Sequence, residues 1–331
     1  MRFAVPFTGR RAAAPSQLPG HRGDAASPLF DEALLARLRR LVLLSRETLA
    51  EGLAGEHRSR RRGASPEFAD FKSYSQGDDF RRIDWNTYAR LDGLFVRLSE
   101  VTTEFDVHIL LDASNSMDWR SHPDVPTKFS YARRAVGAMS YVALWHFDRV
   151  AIAPFGSGLA PRFGPAHGRA RVVPMLRYLE NLSPLGPTDL PAVLATYLSA
   201  RRRPGILLIV SDLLSGEPDA ISGSLRDLRQ RGWQTIVVHV LDEAELAPEL
   251  LNGGPQGRAE PAELVEVETG ERLRLTPTDL VLDRYRTAVG QWLDGIERVC
   301  AEEHVDYLRL MTDWPFETLV LRLLHERGLV A

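Results

Sequence analysis

From residue 105 onward the apolar positions follow two alternating rhythms. Short, largely apolar segments, Val107 to Leu111, Val150 to Pro154, Ile206 to Val210, Thr235 to Leu241 and Tyr307 to Met311, have the length of buried strands. Between them lie stretches whose apolar residues recur at helical spacing: Ser130 to Phe147, Ala170 to Leu182, Leu190 to Arg202, Ala220 to Gln230, Thr278 to Glu303 and Phe316 to Gly328. Gly232 ends the fourth of these, and Leu264 to Leu275 predicts a hairpin about Thr269-Gly270. Strands that alternate with helices predict a mostly parallel sheet flanked by helices on both faces, a Rossmann-like α/β domain over residues 105–331.

The first third of the chain has a different texture. Residues 1–29 are rich in Pro, Gly, Ala and Ser and predict a flexible arm. Asp31 to Leu53 carries Leu34, Leu35, Leu38, Leu41 and Leu44 at helical spacing, followed by a basic stretch, His57 to Arg62, that reads as a solvated loop. Phe68 to Glu104 loses helical periodicity and places aromatic and β-branched residues between turn signals such as Gln76-Gly77-Asp78. Residues 30–104 therefore predict a helix followed by a small β-rich subdomain.

Composition changes this picture mainly by exclusion. The 331 residues are 44% hydrophobic and 26% charged, enough for a sizeable core. A net charge of −3 gives no basic field for nucleic acid. Of the 41 lysines and arginines, only Lys72 and Lys128 are lysine. Cys300 is alone, so no internal disulfide can form and nothing points to an oxidising compartment. No apolar run reaches membrane-spanning length, and no hydrophobic stretch follows Arg10-Arg11. The expectation is a cytoplasmic protein without membrane insertion.

Three polar motifs fall where strands end. Asp112-Ala113-Ser114-Asn115-Ser116 follows the run Val107 to Leu111, Ser211-Asp212 follows Ile206 to Val210, and Gly186-Pro187-Thr188-Asp189 precedes a predicted helix. Open parallel sheets bind ligands outside the carboxyl ends of their strands, at the point where strand order reverses. Asp112, Ser114, Ser116, Thr188 and Asp212 offer only oxygen, the donor that a hard cation such as Mg²⁺ takes at about 2.1 Å. Each motif alone reads better as a turn or helix cap, since Ser, Thr, Asp and Asn fill those positions. Together, in this order on one sheet edge, they predict a metal site.

These residues carry a resemblance. Asp112-x-Ser114-x-Ser116 with the later Thr188 and Asp212 resembles the metal-ion-dependent adhesion site of von Willebrand factor A domains. Tyr74 to Trp85, followed by Ala89-Arg90, resembles the signature of domain-of-unknown-function family 58, and Gly55 to Ser59 is similar to that family's upstream stretch. The resemblance spans about residues 30 to 325. It implies an A-like fold, Mg²⁺ or Mn²⁺ held by the five residues above, and a protein partner, since family members are typically encoded beside MoxR-type AAA+ ATPases. Many members carry N-terminal membrane helices, and this chain resembles the short soluble form. Asp78, Asp79, Arg81, Asp84, Trp85 and Arg90 are expected to form a buried ion-pair network rather than a partner surface.

Enzymatic alternatives find little support. Neither lysine lies in a glycine-rich phosphate loop, no His-Glu-x-x-His occurs, and Phe155-Gly156-Ser157-Gly158 lacks the spacing of a nucleophile elbow. The expected function is a non-enzymatic, metal-dependent protein-binding module, an adaptor or co-chaperone of a MoxR-type AAA+ ATPase. A metal-dependent hydrolase acting on a phosphorylated substrate is the alternative. It requires a lysine near the metal to hold phosphate, and the sequence places none there.

Overall fold

The computed structural model describes residues 29–39, 67–74, 88, 94–100, 105–200, 203–214, 216–247, 262–265, 270–276 and 278–314. The arm, the Gly55–Ser59 stretch, the ion-pair candidates from Asp78 to Arg90 and the last helix, Phe316 to Gly328, lie outside these residues. The chain forms two compact units, Gly55–Phe105 and the remainder.

In the smaller unit, β1 (Glu67–Ser73) pairs antiparallel with β2 (Phe95–Glu100), from Glu67 opposite Glu100 to Ser73 opposite Phe95. The register shifts between Phe68 and Asp70, and Tyr74 N–H donates to Leu94 O at 2.8 Å to extend the ladder.

The larger unit is built on a six-stranded sheet. Its strands are β3 (Asp106–Asp112), β4 (Arg149–Phe155), β5 (Phe163–His167), β6 (Ile206–Ser211), β7 (Gln234–Leu241) and β10 (Asp306–Met311). The spatial order is β10-β7-β6-β3-β4-β5. All neighbours are parallel except β4 and β5. Order therefore reverses between β3 and β6, the central pair. A second hairpin, β8 (Ala262–Val265) and β9 (Arg272–Leu275), pairs antiparallel, with Gly270 at φ 74° in the turn.

The helices cover both faces. Residues 32–39 form α1. The others are α2 (Lys128–Trp145), α3 (Val172–Glu180), α4 (Leu190–Ser199), α5 (Asp219–Gln230), the short α6 (Glu243–Leu246) and α7 (Asp279–Glu302). Adjacent residues of a strand point to opposite faces, and β3 shows the consequence. Ile109 and Leu111 join one core with Phe129, Val136 and Met175, while Leu110 joins the other with Leu194, Leu225 and Val299. A strand buried on both sides has no solvent-facing polar alternation, which is why Val107 to Leu111 is apolar apart from the buried His108.

Three features differ from the sequence reading. Helix α1 belongs to the larger unit, with Phe30, Leu34 and Leu38 buried in the first core. Strand β5 emerges from Phe-Gly-Pro-Ala-His, a segment without strand propensity that an edge position tolerates. Helix α2 begins at Lys128, capped by Thr127 Oγ1, which accepts from Ser130 N–H at 3.1 Å. No helix among the described residues is long and apolar enough to cross a membrane.

Candidate metal centre

The carboxyl ends of β3 and β6 lie side by side, and their registers place Leu111 opposite Val210. Asp112 closes β3 and Asp212 follows β6, both fully buried. Asp112 Oδ1 accepts from Ser114 N–H at 2.9 Å, and Oδ2 accepts from Ser211 Oγ at 2.5 Å. Ser211 Oγ in turn accepts from Leu213 N–H at 2.9 Å. Ser114 and Ser116 place their hydroxyls 2.9 Å apart, and both residues are buried. Ser116 opens a single 3-10 turn, Ser116–Asp118.

Thr188 lies on a neighbouring loop that two backbone bonds fasten to this one. Leu185 N–H donates to Ala113 O at 2.6 Å, and Asn115 N–H donates to Gly186 O at 2.8 Å. A third, Asp189 N–H to Gly156 O at 3.2 Å, ties the same loop to the end of β4. The Thr188 hydroxyl oxygen is buried. Asp189 serves as the N-cap of α4, accepting from Ala192 N–H at 3.1 Å, so the capping role weighed for this motif belongs to Asp189.

The structure also supplies a residue that the sequence reading placed elsewhere. Lys128, at the first turn of α2, has no exposed surface, and its Nζ donates to Asp212 Oδ2 at 2.8 Å and to Glu245 Oε1 at 2.5 Å. The expectation that no lysine approaches the candidate metal residues is therefore corrected. Helix α2 runs from the sheet edge, and its N-terminus brings position 128 to the end of β6. Glu245 comes from α6. Its other oxygen accepts from Asp242 N–H at 3.0 Å, while Asp242 accepts from Ala244 N–H at 3.0 Å, which completes a capping box. Asp242 also accepts from Ser121 Oγ at 3.1 Å, so the loop after Ser116 is tied to the end of β7.

Burial first, and the neighbouring Asp212 second, push the Asp112 carboxyl up to about 7. Burial works to lower Lys128, but Asp212 and Glu245 outweigh it and hold the ammonium firmly charged. Burial also raises Glu245, against the pull of Lys128. Behind Asp212, His239 Nε2 lies 2.9 Å from the Asp212 carbonyl oxygen and Nδ1 lies 2.6 Å from Tyr307 Oη. A carbonyl only accepts, so Nε2 carries the proton and Tyr307 donates to Nδ1. Burial keeps this imidazole neutral, with its pKa lowered to about 3. Leu213 adopts φ 56°, an unfavourable conformation for a non-glycine residue, and the resulting turn lets Leu214 N–H donate to Asp212 Oδ1 at 3.2 Å.

The donor set suits a hard divalent cation. Among the described residues no three His, Cys, Asp or Glu side chains converge as a metal cluster. The centre instead offers two carboxylates with the paired hydroxyls of Ser114 and Ser116. Two buried like-charged carboxylates repel each other, and a cation between them removes that repulsion. Lys128, Glu245, Ser211 and His239 were not read as site residues. Only Asp242-x-x-Glu245 left a local trace, as a capping-box pattern.

Residues 70–290, about two thirds of the chain, match the family described as "Protein of unknown function DUF58". Uncharacterized protein Rv1480 of Mycobacterium tuberculosis and uncharacterized protein Mb1516 of Mycobacterium bovis are each 30% identical over 230 residues, covering 68% of this chain and 69% of theirs. Among solved structures, BatB from Bacteroides thetaiotaomicron aligns over 68% of this chain and 97% of its own at 16% identity, with a TM-score of 0.41. The SpRpn10 VWA domain aligns over 67% and 95% at 8% identity, with a TM-score of 0.38. Six strands in the order 3-2-1-4-5-6, counted from the antiparallel edge, with helices on both faces make the larger unit a Rossmann-like domain of the von Willebrand factor A type. By the family match and by its relatives, the chain belongs to the DUF58 family.

Proposed function

We propose that this protein is a divalent-cation-dependent protein-binding module, non-enzymatic and cytoplasmic, that works with an AAA+ ATPase of the MoxR type. One observation carries the reading: Asp112 and Asp212 are both fully buried at the central sheet edge, beside the joined hydroxyls of Ser114 and Ser116. Asp212 and Glu245 share one ammonium, Lys128, and Asp112 neighbours Asp212. With every group ionised, two negative charges remain, the charge that one Mg²⁺ or Mn²⁺ balances.

In this reading Asp112, Ser114, Ser116, Thr188 and Asp212 hold the ion. The bound cation supplies an electrophilic position that a carboxylate from a partner can take in place of water. Ser211 fixes the Asp112 carboxylate by its hydrogen bond, and the backbone bonds from Ala113 and Asn115 to the 185–186 segment hold the Thr188 loop beside it. The partner's identity rests on the resemblance. The residues supply the acceptor chemistry alone.

The hydrolase alternative gains a lysine but not an accessible one. Lys128 is enclosed, and both of its hydrogen bonds go to carboxylates, so it cannot reach a substrate phosphate without giving up a buried pair.

Calorimetric titration of the purified protein with Mg²⁺ and Mn²⁺ tests the reading, together with capture of the ATPase with and without chelator. Binding of metal, and capture that is lost on chelation and in the Ser114→Ala/Ser116→Ala variant, are the expected results. Capture that survives both treatments would place the interface elsewhere.

A further inference from the structure

Lys128 presents a puzzle that the five candidate ligands do not solve. A primary amine with no exposed surface is rare, because an ammonium leaves water reluctantly. Here it is one of two lysines in a chain that otherwise uses arginine for positive charge. Arginine's planar fork suits two-point recognition of one carboxylate, whereas an ammonium is a compact point charge that can serve two acceptors in different directions. Lys128 does the latter, reaching Asp212 on one side and Glu245 on the other.

The arrangement has a direction. Asp212 Oδ2 is taken by Lys128, while Oδ1 faces Leu214 N–H. Glu245 touches neither Asp112 nor Asp212 by any hydrogen bond described. Its carboxylate is divided between Lys128 and the cap of α6. Glu245 thus anchors the ammonium, and the ammonium offsets the charge of Asp212.

We infer that Lys128 is the resident counter-ion of the centre, a fixed positive charge that Glu245 holds against Asp212 and that sets how tightly a divalent cation is taken. The inference rests on the metal-binding reading above. The apoprotein can bury two metal-facing carboxylates because one is already partly neutralised. The same ammonium repels an incoming dication at short range, so affinity is restrained by construction. A weak site releases its ion readily and gains most from a further carboxylate, the group a partner would bring.

Opposite signs of effect distinguish charge tuning from scaffolding. Lys128→Met keeps the length of the side chain and removes its charge, leaving the centre one unit more negative. Glu245→Gln keeps shape and leaves it one unit less negative. Calorimetric titration of the full chain with Mn²⁺ is expected to show about tenfold tighter binding for Lys128→Met and about tenfold weaker binding for Glu245→Gln, as one charge at close range implies. Should Lys128→Met fail to fold, Lys128→Met/Glu245→Gln removes the pair together and is expected to bind Mn²⁺ at least as tightly as the native protein. The metal-induced rise in melting temperature should follow the same order. If every substitution weakens binding, the network is a scaffold and the inference falls while the metal site stands. Equal affinities throughout would have the same meaning. If neither the native protein nor any variant binds Mn²⁺, both readings fall.

Discussion

Ser211 Oγ donates to Asp112 Oδ2 at 2.5 Å across the boundary between β6 and β3. The bond joins the two strands at the point where strand order reverses, and it satisfies one oxygen of a carboxylate that has no contact with water. A hydrogen bond to a buried charged group contributes about 1.5–3 kcal/mol. Ser211→Ala should therefore lower unfolding free energy by about 2 kcal/mol. Urea denaturation at neutral pH measures it, and a loss under about 0.5 kcal/mol would show that the bond from Ser211 does not stabilise the fold.

Replacing Asp112 itself should act in the opposite sense. Asp112 and Asp212 repel each other in a dry environment, which is one reason the Asp112 carboxyl is pushed up to about 7. Asp112→Asn removes that repulsion and keeps the shape, so the metal-free variant should melt no lower than the native protein at pH 7.5. The same variant should lose the stabilisation that Mg²⁺ or Mn²⁺ gives the native chain. Thermal melts with and without cation read both effects, and a variant still stabilised by metal would remove Asp112 from the ligand set.

His108 predicts an acid-side weakness away from the metal edge. Its Nδ1 lies 2.6 Å from Tyr197 Oη, and its ring packs edge-on against Trp233. Burial lowers its pKa below that of the unfolded chain, about 6.5. The unfolded chain thus takes a proton that the folded state resists. The His108 contribution to stability is complete above pH 6.5 and is lost as pH drops below it. His108→Gln should flatten the pH dependence between 6.5 and 5 by up to about 1.4 kcal/mol per pH unit. Denaturant unfolding across that range measures the slope, and identical slopes would contradict the assignment.

Gly137 on α2 faces Phe30, and a Cβ there would lie 2.4 Å from Phe30 Cε1. Gly137→Ala must displace the aromatic ring that docks residues 29–39 on the first core. Overpacking of this kind costs about 1–3 kcal/mol. Amide hydrogen exchange should accelerate in residues 32–39 while β3 and β6 stay protected. Equal protection in variant and native chains would show that Phe30 is not what secures the helix.

Much of the larger unit was legible because its central strands are buried on both faces. Ile206 to Val210 is apolar throughout and Val107 to Leu111 is interrupted only by His108, and runs of that kind have few other readings. The positions of Asp112 and Asp212 followed from where those runs stop. Strand β5 was illegible because an edge strand needs few ladder bonds and Gly164-Pro165 hides it among turn signals. Lys128 and Glu245 were missed for a different reason. They stand 117 residues apart and meet through the fold, so no local spacing records their pairing.

In sequence, the smaller unit, Gly55–Phe105, is inserted between two stretches that contribute to the first core. Upstream lie Phe30, Leu34 and Leu38, and downstream lies β3. It is an insertion with two roots. A single protease cut within it would yield two fragments that share one core, because residues 29–39 remain held by side-chain packing after the covalent link is gone. The native assembly would then behave as a nicked complex, indistinguishable by size exclusion from the intact chain and separable only in denaturant. The two pieces expressed apart would be a split pair whose reunion reports on the first core.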